Sequence, residues 1–316
     1  MQILLSNLGF ALGVTGPIIL VITLGVVLAH LGIITDAFID AGSRLVFNVT
    51  LPALLFVTIS ETGFEHALNV DLIAYGVLGT VIFYLAMEAL AARVVHPPAD
   101  RGVVVQGAYR SNMGIVGLAY CVNAYGDIAM AAASLYLALV TILYNVLAVI
   151  TLNRSLHRQG SVAPTLLGIV RNPLIIGIVA ALPFSYFGIH LPAVILQTGD
   201  YFAQMTLPLA LLCTGGSLSL RALRTESSNA AIGTVGKVIL SPLVMTGGAF
   251  LAGFRGIDLG IVFLMTSAPT AAASYVMVRA MQGNATLAAN IIVLSTIGSV
   301  IATSLGLTLL RGLRLI

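Results

Sequence analysis

Apolar runs of about twenty residues, each long enough to cross the hydrocarbon of a bilayer, follow one another along nearly the whole chain. They lie near 8–31, 37–60, 70–93, 101–125, 127–152, 165–187, 193–219, 228–254, 257–281 and 285–310. In hydrocarbon every backbone N–H and C=O needs an internal partner, which runs of this length obtain as helices. The sequence therefore predicts an all-α membrane protein of ten transmembrane helices with short connections. The balance of residues agrees, with 59% hydrophobic and 8% charged over 316 residues. The first run has no basic leader, continues well past the length of a signal core and offers no small-x-small site near its end. It is expected to be retained.

Four of the runs carry interruptions: "NVTLPALL" in the second, "RSNMG" in the fourth, "QMTLPLALL" in the seventh and "SAPTAAAS" in the ninth. Proline or glycine inside a spanning helix frees backbone groups that protein or cavity water must then satisfy. The interruptions recur at a nearly constant spacing. Pro17 and Pro173, Gly32 and Gly188, and the "TLP" at 50–52 and 206–208 are each 156 apart, while Asn112 and Pro269, Gly126 and Gly283, and Leu137 and Leu294 are each 157 apart. Such spacing is the mark of an internal duplication, dividing the chain into a first five-helix repeat at 1–156 and a second at 157–316. Because five is odd, the second repeat enters the membrane from the opposite side, and the two are inverted.

Loop charges orient the ten spans. One side holds Arg44, Arg93, Arg101, Arg154, Arg158, Arg171, Arg221, Arg224 and Arg279; the other holds Arg255, Arg311 and Arg314 with the acidic loop of Glu61, Glu65 and Asp71. The positive-inside rule then places both termini outside the cytoplasm. Arg110 in the fourth span and Lys237 in the eighth remain. Each lies about nine residues into its helix, roughly 13 Å deep at 1.5 Å per residue, where a lone charge costs at least about 2.5 kcal/mol. Either they snorkel or pair with acids such as Glu88 or Asp200, or they belong to an anion site. Glu88 itself lies close enough to the end of the third span to reach water.

Carriers with a broken helix in each inverted repeat cross those helices near the midplane, where half-helix N-termini present free N–H groups to an anion. Asn112 at the first break and Thr270 beside Pro269 at the second add neutral donors. Gly107 and Gly114 permit close backbone approach, and Ser267, Ser274 and Tyr275 offer hydroxyls. In a regular helix Arg110 and Asn112 would point about 200° apart; both reach one ligand only if the chain turns at the break. Otherwise Arg110 lines the cytoplasmic approach.

At these motifs the chain resembles the auxin efflux carrier family, which includes bacterial malate and malonate permeases and the plant PIN carriers. The stretches that carry the likeness are "FNVTLPALLFVTIS", which contains Asn48, "SNMGIVGLAYCVNAYGD", "LYNVLAV", "GKVILSPL" and "APTAAASYVMVRAMQGNATLAANIIVLST". Ala119 departs from the pattern, because the family often has proline after "GxxGL", and only about a dozen residues around "NRSLHRQGSVAP" stand where many plant members have a long loop. The resemblance implies an architecture like that of NhaA and the bile-acid symporters, with crossed helices 4 and 9. It implies a scaffold of spans 1, 2, 6 and 7, a transport domain of spans 3–5 and 8–10, a homodimer, and elevator-type alternating access in a bacterial inner membrane. The expected cargo is a small organic anion, a mono- or dicarboxylate. The resemblance puts Asn112 and Pro269 at the crossover, Lys237 at the basic position of span 8 and Asn145 at the polar position of span 5; Gly114 and Thr270, read from the residues themselves, join the candidate site with Asn48 of the span 2 motif, and Arg110 has no typical counterpart and would tune substrate charge.

Other classes fit less well. A cation/proton antiporter of the same architecture needs a deep carboxylate, and the fifth span has no acid beyond Asp127 at its edge. A sodium- or proton-coupled organic acid symporter is closer, with an ion held by carbonyl, Asn or Thr oxygens. An enzyme is not expected, because His30, His66, His96, His157 and His190 all fall near span ends and form no metal cluster. Cys121 and Cys213 both lie in apolar runs and read as packing residues rather than a disulfide or metal site. No cofactor is called for, and no basic run points to nucleic acid.

Overall fold

The computed structural model describes residues 2–61, 69–156, 173–218 and 228–316. Glu65, His66, His157, Arg158, Arg171, Arg221 and Arg224 of the sequence reading lie outside these residues. The chain runs as α1 (Gln2–His30), α2 (Asp36–Leu45) and α3 (Leu51–Glu61), then α4 (Val70–Val94), α5 (Arg101–Tyr109), α6 (Leu118–Tyr125) and α7 (Asp127–Ser155). The second part contains α8 (Pro173–Phe187), α9 (Ala193–Gly216), α10 (Ser228–Val235), α11 (Ser241–Leu251), α12 (Gly256–Ser267), α13 (Ala273–Ala280) and α14 (Ala285–Gly312). Helices long and apolar enough to cross a membrane cover Asn7–His30, Asp36–Glu61, Val70–Val94, Asp127–Ser155, Ser228–Leu251 and Ala285–Gly312. Shorter apolar helices cover Met113–Tyr125, Ile175–Phe187 and Gly256–Ser267. Among the described residues there is no strand.

Three wide π-turns, Val46–Thr50, Met113–Gly117 and Gly236–Leu240, join helical segments. Two of them have a local cause. Pro52 and Pro242 each stand two residues beyond a π-turn, and a proline cannot donate to the carbonyl four residues back and its ring clashes with it. The helix widens instead, so that Leu51 N–H reaches Val46 O and Ser241 N–H reaches Gly236 O. The third π-turn stands in the same relation to Ala119, where the proline is missing, and Asn112 O there accepts from both Val116 and Gly117 N–H.

Two of the four expected interruptions are therefore corrected. The second run widens at "NVTLP" without breaking, and the seventh continues as α9 straight through Pro208. A proline removes a single N–H, and the bonds on either side hold the helix together. True breaks occur in the fourth run at 110–112 and in the ninth at 268–272.

The broken segments lie at the centre of the molecule. α5 packs against α4, α7, α10 and α14, and α12 against α11 and α6. Every residue of α5 from Gly102 to Tyr109 is buried, as is every residue of α12 from Leu259 to Ser267. Neighbouring helices therefore shield both segments from lipid. Cys121 and Cys213 are free and buried, in keeping with packing roles. Away from this centre α1 and α9 meet backbone to backbone: a Cβ on Gly25 would stand 2.3 Å from Leu212 O, and one on Gly215 2.0 Å from Ile22 O.

Gly215→Ala is accordingly expected to force α1 and α9 apart and cost about 1–3 kcal/mol, seen as an earlier thermal transition in detergent. Gly13→Ala, with nothing within 4 Å of the new Cβ, should leave that transition in place.

Candidate functional site

Where the fourth and ninth runs break, their backbones join. Asn112 N–H donates to Pro269 O at 2.7 Å and Ala271 N–H donates to Arg110 O at 3.0 Å, flanking an antiparallel bridge between Ser111 and Thr270. The bonds are reciprocal, one from each strand-like segment to the other. They satisfy groups that leaving the helix exposed, at a depth where no bulk water can. Proline suits its place because Pro269 serves only as an acceptor here. Side chains complete the junction: Thr270 Oγ1 donates to Gly107 O at 2.7 Å, and Thr270 N–H donates to Ser295 Oγ at 3.1 Å.

Four half-helix ends converge on this point: the C-termini of α5 and α12, and the N-termini of the Met113–Gly117 turn and of α13. The first N–H groups of a helix have no partner within it. Asn112 stands before the first of these N-termini without capping it with its side chain, and Gly114 follows within its first turn, where an added Cβ would stand 3.4 Å from Leu51 Cδ2. Buried Ser267 Oγ, Ser274 Oγ and Gln106 Oε1 have no protein partner among the described residues.

Two cations border the junction. Lys237 is the single lysine of the chain, completely buried, and lies in the π-turn that Pro242 imposes on its helix. Its Nζ donates to Ser111 Oγ and, at 3.4 Å, to Ser241 Oγ; Ser111 Oγ donates in turn to Thr266 O at 3.4 Å, near the C-terminus of α12. Arg110 ends α5. Its Nη2 donates to Asn145 Oδ1 of α7 at 2.6 Å, and its Nη1 lies 2.7 Å from Met277 Sδ of α13.

Neither cation has an acidic partner among the described residues, where the one ion pair joins Arg154 to Glu88 at 3.8 Å. The pairing of Arg110 or Lys237 with Glu88 or Asp200 is thus overturned: Glu88 faces Arg154 and accepts from Thr151 Oγ1. Snorkelling is overturned as well, since both side chains are held inside. The two C-terminal half-helix ends contribute about −0.5 each and the two N-terminal ends about +0.5 each. They cancel, and with both side chains protonated the junction keeps a surplus of about two positive charges.

The structure thus gathers Arg110, Asn112, Gly114, Lys237, Asn145, Pro269 and Thr270 around one junction. Asn48 lies elsewhere. Its side chain is exposed, donates to Arg44 O at 2.8 Å, and lines a groove of about 390 Å³ with Pro52, Phe56 and Gly177. The angular argument separating Arg110 from Asn112 does not apply, because residues 110–112 are not helical. Ser111, Ser295 and Met277 were missed as members; the chain's one lysine was the available signal for Ser111, since a buried ammonium needs oxygen acceptors.

Thr270→Val keeps the side chain's shape and deletes the bond to Gly107 O. It should cost about 1 kcal/mol or somewhat more, read as a lower thermal midpoint in detergent, whereas Thr270→Ser should retain wild-type behaviour.

The profile of a family described as "Membrane transport protein" matches residues 14–163 and 160–307. An "Uncharacterized transporter" of Methanothermobacter thermautotrophicus is 23% identical over 292 residues, 91% of this chain and 94% of the relative. A Rhizobium meliloti protein named "Putative malonate transporter" is 25% identical over 266 residues, 79% of this chain and 82% of the relative.

Proposed function

Because the chain belongs to the auxin efflux carrier family of membrane transport proteins, and is with its long apolar helices an integral membrane protein, we propose that it is a secondary carrier for a small organic anion. The observation that carries this reading is the pair of buried cations, Arg110 and Lys237, beside the joined breaks with no carboxylate partner among the described residues. A buried charge without a counter-charge is expensive, and a mono- or dicarboxylate supplies the missing charge on binding. Half-helix N-termini and the uncapped amide of Asn112 then offer N–H donors to its oxygens. The relative whose name refers to malonate favours a short dicarboxylate, with one carboxylate at the N-termini and Asn112 and the second drawn toward Arg110.

The accompanying architecture is ten spans in two inverted repeats, 1–156 and 157–316, with helices 4 and 9 crossing at the junction. A transport domain of spans 3–5 and 8–10 carries the anion in an elevator-type movement against a scaffold of spans 1, 2, 6 and 7, through which two copies pair. Both termini face away from the cytoplasm in a bacterial inner membrane. Support for inversion comes from the polar contacts: Asn229, at the start of span 8, binds Asp100 at the start of span 4, and Asn69, at the start of span 3, binds Asp258 at the start of span 9. Exchanging the repeats turns one pair into the other.

The test is uptake of labelled mono- and dicarboxylates into proteoliposomes. Lys237→Gln should lose at least about tenfold in transport, the scale of one charge-assisted hydrogen bond, while remaining folded. Arg110→Ala should impair dicarboxylates more than monocarboxylates, and Asn112→Ala both. Wild-type rates in Lys237→Gln would make the lysine structural and remove the charge argument.

A further inference from the structure

Asp100 is a buried carboxylate away from the junction. It stands directly before α5, and among the described residues no cation pairs with it. Asn229 Nδ2 donates to Asp100 Oδ2 at 3.1 Å and to His96 O at 2.8 Å, while Asn284 Nδ2 donates to Asp100 Oδ1 at 3.1 Å. Asn229 belongs to the first turn of α10, and Asn284 caps α14, accepting from Leu287 N–H through Oδ1. Asp100 also places negative charge at an N-terminus, where the helix dipole favours it. One carboxylate thus ties together the outer ends of α5, α10 and α14.

From this node α5 and α10 run inward side by side. Eight residues after Asn229 comes Lys237, and eleven after Asp100 comes Ser111, and there the same two chains are joined again by the Lys237 to Ser111 bond. A ladder fixed at both ends has one register. If the outer rung were lost, α10 would be free to slide or rotate against α5. Lys237 sits in a π-turn, where the regular hydrogen-bond ladder that would resist such a slip is already interrupted.

We propose that Asp100 and Asn229 are positioning residues that set the register of Lys237 against Ser111, so that the ammonium is presented to the anion site. This rests on the carrier reading for the identity of the ligand, but the register itself is a property of the fold.

Lys237 is the chain's single lysine, so an amine-reactive acylating reagent such as an N-hydroxysuccinimide ester of acetic acid, followed by peptide mass spectrometry, reports on it alone apart from the N-terminal amine. In the wild-type protein, purified in detergent, Lys237 is expected to resist acylation. Asn229→Leu, which removes both donors, should raise its acylation rate about tenfold or more, the scale expected for loss of one to two hydrogen bonds. Asp100→Asn, which keeps the shape and part of the bonding, should raise it less. Asn69→Leu breaks the corresponding bond to Asp258 Oδ2 (2.9 Å) and serves as the control for general loosening: it should lower thermal stability comparably and leave Lys237 protected. Unchanged labelling in Asn229→Leu, or equal labelling in Asn69→Leu, would overturn the positioning role. Malonate and acetate, added separately to wild type treated with excess reagent, test the ligand: protection of the slow residual labelling by neither would overturn the carrier reading while leaving the register result standing.

Discussion

Two backbone hydrogen bonds, Asn112 N–H to Pro269 O and Ala271 N–H to Arg110 O, make the rest of this structure possible. A helix that stops inside a bilayer leaves carbonyls on one side of the gap and N–H groups on the other, each unmet group costing several kcal/mol in hydrocarbon. One broken helix cannot supply the missing partners from its own backbone. Two broken helices whose gaps coincide exchange the missing bonds and at the same time gather four helix ends in one place. The same rearrangement that satisfies the backbone therefore concentrates four sets of helix-end partial charges at the junction.

The cations refine that charge distribution. Ser111 connects Lys237 to the carbonyl end of α12, and Arg110 grows out of the carbonyl end of α5, so both stand on the negative side of the gap. They offset the C-terminal dipoles and leave the N-termini of the opposite halves unopposed. Arginine and lysine divide the work by geometry. The planar guanidinium spans from Asn145 to Met277 across two other helices, whereas the compact ammonium fits a single hydroxyl cluster between neighbours.

Much of this was legible in the sequence. Among the described residues most run ends fall within a few residues of a helix end, since hydrocarbon thickness leaves little latitude, although α1 starts six residues before its run, and Asn, Gly and Pro at "RSNMG" and "SAPT" mark both real breaks. Proline alone misled. Pro52 and Pro208 looked like the other interruptions, yet a wide turn absorbs the first and an unbroken helix the second, because a single lost N–H does not end a helix whose neighbouring bonds survive. The partners of the buried cations were illegible for a different reason. Asn145 is 35 residues from Arg110, Met277 is 167, and Ser111 is 126 from Lys237, and all are neutral, so no charge pattern announces them. Asn48 shows the converse: a residue inside a recognisable motif whose amide is consumed by its own helix.

The reciprocity of the junction also constrains how the protein is made. Arg110 and Asn112 emerge from the ribosome long before Pro269 and Ala271, and Ser111 long before Lys237. Throughout synthesis of the intervening residues the first broken helix has no partner for its gap, and of its cation's contacts only Asn145 lies in the same half. The N-terminal half cannot complete its own interior in the membrane. It must wait at the insertion machinery, or hold water at its break, until the second half arrives, and a chain truncated before residue 269 would be left with an unsatisfied polar core for quality control to recognise.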